Sequence, residues 1–435
     1  MKILTMGRLK AFNMNKERIV LFLLFISIVG ALFTSPMPGL DKLSISNVVH
    51  LLVTVILMIV NPRFTGALVK LVCFVVVMSL ISHMYVAIKY GYSGKALITL
   101  HIVTGIVFIF LMSDAINQFS SEQNIKKTLM LSVLVAIGVL IVSAVSDFRS
   151  GLPSTNFTFD DKSHATIYIC FLSFLSLRYF DRSRYIVAFA LIVLCFFSVS
   201  RLVVLFIPFL GLMALLQISR KQSFLSKVVL SVTLFLSSIA STSYIYQNSE
   251  KIQLLERIST RSAVLSSEST QAHFLLLKHA VELKFDSFSM FLFGASPGSF
   301  ADILIRSERN FSDLAAVDPA FIYHAYNSTA PIHSTHAAVL VEYPLPVFIL
   351  YIIILFSTVK SVVKQKKFEL LYFGVPFFAS TMFYSAHNKF YFFVILVFIV
   401  VLIDKKTSIH RYRRLPIRNL RSKTALLTRL KSLIK

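Results

Sequence analysis

Apolar runs separated by short basic segments dominate this chain and restrict its fold more than any other feature. They lie near residues 18–34, 44–60, 67–87, 96–113, 128–146, 164–180, 185–200, 202–218, 227–245, 337–358, 368–385 and 388–403. Two exceed the roughly 20 apolar residues that a helix needs to cross a bilayer core, and the others come within about four residues of it. A segment in hydrocarbon must satisfy its own backbone hydrogen bonds, so the runs predict about twelve transmembrane helices. The expected fold is an all-α polytopic membrane protein with one large outer loop containing short helices. With 56% of 435 residues hydrophobic, the composition agrees.

The basic residues decide the orientation. The net charge of +24 would suit a nucleic-acid partner if it were gathered beside a binding motif, and no such motif is present. Instead NPR (61–63), DRSR (181–184), SRKQ (219–222), KSVVKQKK (360–367) and the tail KKTSIHRYRRLPIRNLRSK (405–423) alternate with the apolar runs. This is the positive-inside pattern, and it predicts both termini in the cytoplasm. Four regions follow: a transmembrane bundle over 1–245 with about nine spans, a large outer loop over 246–336, about three further spans over 337–403, and a basic tail over 404–435. The N-terminal stretch before the first run reads as an uncleaved first anchor, because so many spans come after it. Cys73, Cys170 and Cys195 all fall inside apolar runs without C-x-x-C spacing, and so read as packing residues.

The candidate chemistry lies on the outer side. QAHFLLLKHAVELKF (271–285) has the spacing of an amphipathic helix, to lie on the membrane surface or pack on the spans. LFGASPGSF (292–300) supplies glycine and proline for a tight turn. Arg201 interrupts an apolar stretch, at an outer turn where the positive-inside rule gives it no reason to be. Its planar fork of donors suits phosphate oxygens, with snorkelling to headgroups as the plainer role. In PIHSTHAAVLVEYPLP (331–346), His333 and His336 are three residues apart and share a helical face, with Glu342 further along. An imidazole can take a proton from an attacking hydroxyl, and a carboxylate can orient what lies beside it. HxxH without HExxH points to no metal, and no cofactor motif occurs. Asp160 and Asp161, at a span entrance, suit a paired-carboxylate site less well than capping of the following helix by Asp161 or Ser163.

These pieces resemble the O-antigen ligase and O-antigen polymerase superfamily, bacterial inner-membrane glycosyltransferases of the GT-C type. SVSR (198–201) resembles that family's Ser-Arg at an outer span junction, and FGASPGSF (293–300) its glycine-rich motif. HSTHAAVLVEYPL (333–345) resembles its His-Asn followed by Glu, with Ser334 where Asn is usual, and DDKSHA (160–165) before an apolar run resembles its Asp-x-Asn entrance to a span. The resemblance implies a GT-C-like fold with a periplasmic loop and a periplasmic active site. It also implies transfer of a glycan from a polyprenyl diphosphate carrier to an acceptor sugar hydroxyl, without metal and with inversion. Arg201 would hold the diphosphate and His333 would act as general base, with Glu342 orienting. The family's second arginine has no single counterpart, and Arg257, Arg261 and His273 occupy its region, with His336 and His164 as further substrate contacts. The acceptor would be a lipid A-core, as in a ligase, or a second lipid-linked glycan, as in a polymerase, and membrane lipids would be constant neighbours. A polytopic secondary transporter is the alternative of a different class. It would favour paired halves and midplane ionisable residues, whereas this chain has 13 glycines and its polar residues concentrate at the outer ends of the runs.

Overall fold

A computed structural model describes residues 2–218 apart from 38, 39, 93, 153, 182, 199 and 201, and residues 271–404 apart from 308, 309, 311, 320–322, 324, 325, 327–331, 333 and 388. Arg201, His333, Arg257, Arg261, the apolar run at 227–245 and the basic tail therefore lie outside the described residues.

Among the described residues, the apolar runs become helices. α1 (Lys2–Gly30) leads into a two-stranded antiparallel hairpin, β1 (Pro36–Met37) and β2 (Leu40–Ser44). Then come α2 (Ile45–Val60), α3 (Gly66–Tyr90), α4 (Ala96–Phe119), α5 (Glu122–Arg149), α6 (Lys162–Tyr179), α7 (Arg184–Phe197) and α8 (Leu202–Ile218). The second part holds α9 (271–284), α10 (Phe288–Phe293), α11 (Phe300–Arg306), α12 (Ser312–Val317) and α13 (Thr335–Glu342). It ends with α14 (Leu345–Lys364), α15 (Leu371–Ser380) and α16 (Phe390–Asp404). Among the described residues, α3, α4, α5 and α14 are long and apolar enough to cross a membrane. The protein is thus a mostly helical membrane protein, with the small hairpin as its only sheet among the described residues.

Exposure is inverted relative to a water-soluble fold. Ile88 is 83% exposed, Ile59 74% and Phe356 72%. Such side chains would be an aggregation hazard in water and face lipid without penalty in hydrocarbon. α6 is buried on every side from Ser163 to Leu177, as expected of a helix surrounded by other helices. Two of its hydroxyls are satisfied locally: Thr166 and Ser176 donate to the carbonyls of Lys162 and Leu172, four residues back. The Tyr168 hydroxyl donates to the Ile28 carbonyl (2.7 Å), joining α6 to α1. Cys170 and Cys195 are buried and free, with sulfurs 3.7 Å apart across the α6–α7 contact.

The helix starts follow capping rules. Ser44, Thr65 and Ser121 each accept a backbone N–H from three residues on. Asp161 accepts from Ser163 N (2.6 Å), the capping role its position suggested. α9 is amphipathic as its spacing predicts: Leu276, Ala280 and Leu283 are buried, while Phe274, Leu277 and Phe285 face outward. His279 and Lys278 both bind Asp313, at 2.7 and 3.1 Å, tying α9 to α12.

One expectation fails in an instructive way. The apolar run 337–358 reads as a single span, yet the chain breaks at Tyr343–Pro344 into α13 and α14. Proline has no N–H to continue the helix and pushes the residue before it towards extended backbone; Tyr343 has φ −101 and ψ 153. Glu342 is therefore the last residue of a short helix that precedes the span.

α4 and α16 pack tightly at Gly105, where an added Cβ would lie 2.4 Å from the Phe393 ring. Gly105→Ala is expected to cost about 1–3 kcal/mol through this overlap. Gly138, on α5, has nothing within 4 Å of its Cβ position. The apparent melting temperature in detergent should fall for Gly105→Ala and hold or rise for Gly138→Ala.

Candidate functional site

The break at Pro344 frees carbonyl groups in a buried region, and three separate segments supply donors to them. Ala295 N donates to Val341 O (2.8 Å) and Ser82 Oγ to Glu342 O (3.5 Å). Lys284 Nζ donates to Tyr343 O (2.9 Å). The Glu342 side chain works in the opposite sense, as an acceptor. Its carboxylate takes the backbone N–H of Gly298 (2.8 Å) and of Phe300 (3.3 Å), fixing the 294–300 turn against α13. Gly294, with φ +74, passes so close to α13 that a Cβ there would sit 2.7 Å from Tyr343 O. Glycine is required at that point on both counts. The far side of the turn is held by Ser296, whose hydroxyl lies 2.5 Å from His83 Nδ1, while His83 Nε2 meets Thr99 Oγ1 at 3.2 Å. Lys95 and the buried Asp302, in the first turn of α11, form an ion pair at 3.1 Å.

α13 begins at Ser334, whose hydroxyl accepts Ala337 N (3.1 Å). His336 lies in its first turn with both ring nitrogens engaged. Nε2 faces the Phe378 carbonyl (3.2 Å) and Thr381 Oγ1 (3.0 Å), and Nδ1 faces the Tyr351 hydroxyl (2.6 Å). A carbonyl only accepts, so Nε2 carries the proton and Nδ1 accepts from Tyr351. Thr335 Oγ1 donates to Tyr384 O (3.1 Å) and accepts Ala386 N (2.8 Å), fixing the 381–389 loop.

The same loop reaches a second polar cluster. Lys389 pairs with Asp160, whose other oxygen accepts from Thr34 Oγ1 (2.8 Å) and lies 3.3 Å from His164 Nδ1. Burial alone would raise the Asp160 carboxyl, but its bond to His164 and the charge of Lys389 outweigh that and hold it below the ordinary carboxylate range. Asp160 thus ties the end of α1, the start of α6 and the start of α16 together.

Beneath these clusters runs an apolar groove of about 660 Å³ lined by α3, α4, α14 and α16. Val75, Ile102 and Ile106 line it together with Val347, Leu350 and Ile354. From Val347 to Lys364 its α14 wall extends about 26 Å at the usual rise per residue, close to the hydrocarbon thickness of a bilayer. One mouth is lined by Thr335, Tyr343, Tyr351 and His387, and the other by Asp114, Asn117, Lys360 and Lys364.

The sequence-predicted residues divide as follows. Glu342 holds the turn, His336 links α13 to α14 and α15, and His164 belongs to the Asp160 cluster. His273, with Ser334 and Met382, lines a small hollow, its ring 5.9 Å from that of Tyr384. Lys284, Lys389, Tyr351 and His387 were not foreseen. Only Lys284 carried a signal, as a basic residue at one end of an apolar helical repeat.

Two predictions follow from the turn. Glu342→Ala leaves the Gly298 and Phe300 amides without acceptors, at about 1–3 kcal/mol for each buried group. It should lower the apparent melting temperature more than Glu342→Gln, whose amide oxygen retains one bond. Separately, burial pushes the Lys284 ammonium down to about 8, so the folded protein holds this proton less tightly than the unfolded chain. Stability should therefore rise as pH climbs from about 8 towards the ordinary lysine value of 10.5, by about 3 kcal/mol from this group. Lys284→Met should flatten that part of the rise in melting curves recorded against pH.

Comparison with known proteins adds no identity to this geometry: no family model matches the chain, and no curated protein does.

Proposed function

We propose that the protein is a membrane glycosyltransferase that moves a glycan from a polyprenyl diphosphate carrier to an acceptor sugar hydroxyl. Ligation onto a lipid A-core is the first reading and joining of lipid-linked glycans the second. The observation that carries it is the groove: an apolar channel of about 660 Å³, as long as a bilayer core is thick, with a mouth of hydroxyl and imidazole groups. A lipid tail in the groove would bring its head to the end of the bundle where α13 begins, and His333 immediately precedes the Ser334 cap of that helix. On this reading the helices form a GT-C-like bundle of about twelve spans, with both termini cytoplasmic and this mouth facing the periplasm.

The chemistry needed is modest. The leaving diphosphate already carries stabilised negative charge, so cationic donors matter more than a strong acid. Arg201 supplies the planar donor fork for the diphosphate oxygens. His333 takes the proton from the acceptor hydroxyl as it attacks the anomeric carbon, the diphosphate departs from the opposite face, and the configuration inverts. Glu342 acts at a distance, by holding the turn that packs on α13.

Purified protein would be given polyprenyl diphosphate glycan with lipid A-core, or donor alone, and the products resolved by mass. Product on lipid A-core identifies a ligase, and lengthened donor identifies a polymerase. Arg201→Ala and His333→Ala are each expected to lower turnover by about 10²-fold or more without shifting the melting temperature. Turnover at the unsubstituted rate in either variant removes that residue from the mechanism.

A further inference from the structure

The groove has a second mouth, and its polar groups are basic. Lys360 and Lys364 lie four residues apart on α14, so they share one helical face, and both line the groove. The charged groups around them are already engaged. Asp114, across the groove on α4, accepts from the Asn61 amide (3.1 Å) and from Gln118. Arg178 pairs with Glu369 (3.0 Å), and Lys367 caps α16 through the carbonyls of Leu402 and Ile403. The Thr358 hydroxyl donates to Ile354 O (2.8 Å). Lys360 and Lys364 make no hydrogen bond or ion pair among the described residues. Two ammonium groups thus stand where an apolar channel opens, with Ile109, Phe110, Leu396 and Ile399 as its nearest walls.

We propose that this mouth binds an anionic phospholipid, its phosphate between Lys360 and Lys364 and one acyl chain in the half of the groove nearest them. Charge decides the headgroup: a net negative lipid gains from both ammonium groups, whereas a zwitterionic one brings its own cation to the same place. Shape decides the chain, because the channel walls are apolar and α14 exposes further apolar side chains, Phe356 and Val359, on its outer side. Snorkelling of the two lysines to headgroups in general would leave no chain inside the groove, and this difference can be measured. The inference needs the groove and the lysine pair alone, and stands apart from the transferase reading.

The chain contains no tryptophan, so one substitution creates a unique fluorophore. Phe110→Trp places it on the groove wall one turn from Asp114, and Phe189→Trp, on the lipid-facing side of α7, reports the surrounding bilayer. Full-length protein would be reconstituted in phosphatidylcholine vesicles containing chain-brominated phosphatidylglycerol, and in phosphatidylglycerol vesicles containing chain-brominated phosphatidylcholine. The expected result is half-quenching of the groove indole by brominated phosphatidylglycerol at a roughly fivefold lower mole fraction than by brominated phosphatidylcholine. The reference indole should show no such preference. Lys360→Gln with Lys364→Gln should abolish the preference without changing Phe189→Trp quenching. Equal quenching by the two lipids, no quenching of the groove indole, or a preference that survives the double substitution overturns the proposal. Retention of phosphatidylglycerol in native mass spectra, compared between the unsubstituted chain and the double glutamine variant, gives the same decision if Phe110→Trp does not fold.

Discussion

A peptide group stranded in hydrocarbon is costly, and Pro344 strands several at once. It ends α13 without an N–H to continue the ladder, and the carbonyls of residues 341 to 343 must then find donors within a buried region. The donors come from Ala295, Ser82 and Lys284, in three segments that sequence alone would not bring together. Glu342 closes the arrangement from the other side by accepting two amides of the same turn. The 294–300 turn and α9 are therefore tied to the spans through backbone groups of one helix break. Removing the proline would not simply straighten a helix, because it would also remove the reason for the turn and for Lys284 to be where they are.

The groove is the other consequence of how α14 sits. Its residues Leu350 and Ile354 line open space shared with residues of α3 and α4. In a water-soluble protein an apolar void of this size would cost the contacts its walls lack. Within a bilayer, hydrocarbon chains are always present to fill it, so the same walls form a receptive surface. The tight α4–α16 contact at Gly105 and Phe393 shows that neighbouring helices do close fully where the sequence provides a small residue. The opening beside α14 is thus a local feature of these side chains, with large residues on both walls and no glycine or alanine to let the backbones approach.

The helices were legible because apolar length and period are properties of contiguous sequence. The runs at 44–60, 96–113 and 388–403 anticipated α2, α4 and α16 to within a few residues, apart from the C-terminal end of α4. Ser-Asp-Thr caps and the glycine turn were likewise local signals. The break inside 337–358 was written in two prolines, but an apolar composition on both sides concealed it. What could not be read was any feature made by distant partners. Asp160 is set by Thr34 and Lys389, 126 and 229 residues away, and Lys284 by a carbonyl 59 residues away. The groove is a shape, and four helices that read alike as spans give no sign of which two stand apart.

Partners at a distance also decide what an imidazole can do. His333 and His336 look alike in sequence, two histidines at the head of one apolar run. A general base needs a nitrogen lone pair free to receive the substrate's proton. In His336 the Nε2 proton is directed to Phe378 O and Thr381, and the Nδ1 lone pair is taken by the Tyr351 hydroxyl, so the ring braces α13 against α14 and α15. Its position in the first turn, facing the helices, allows this. Within the transferase reading proposed above, the base therefore falls to His333, the residue before the Ser334 cap in sequence. On that proposed reading the pair would divide its labour, one imidazole holding the helix in place and the other left for the substrate.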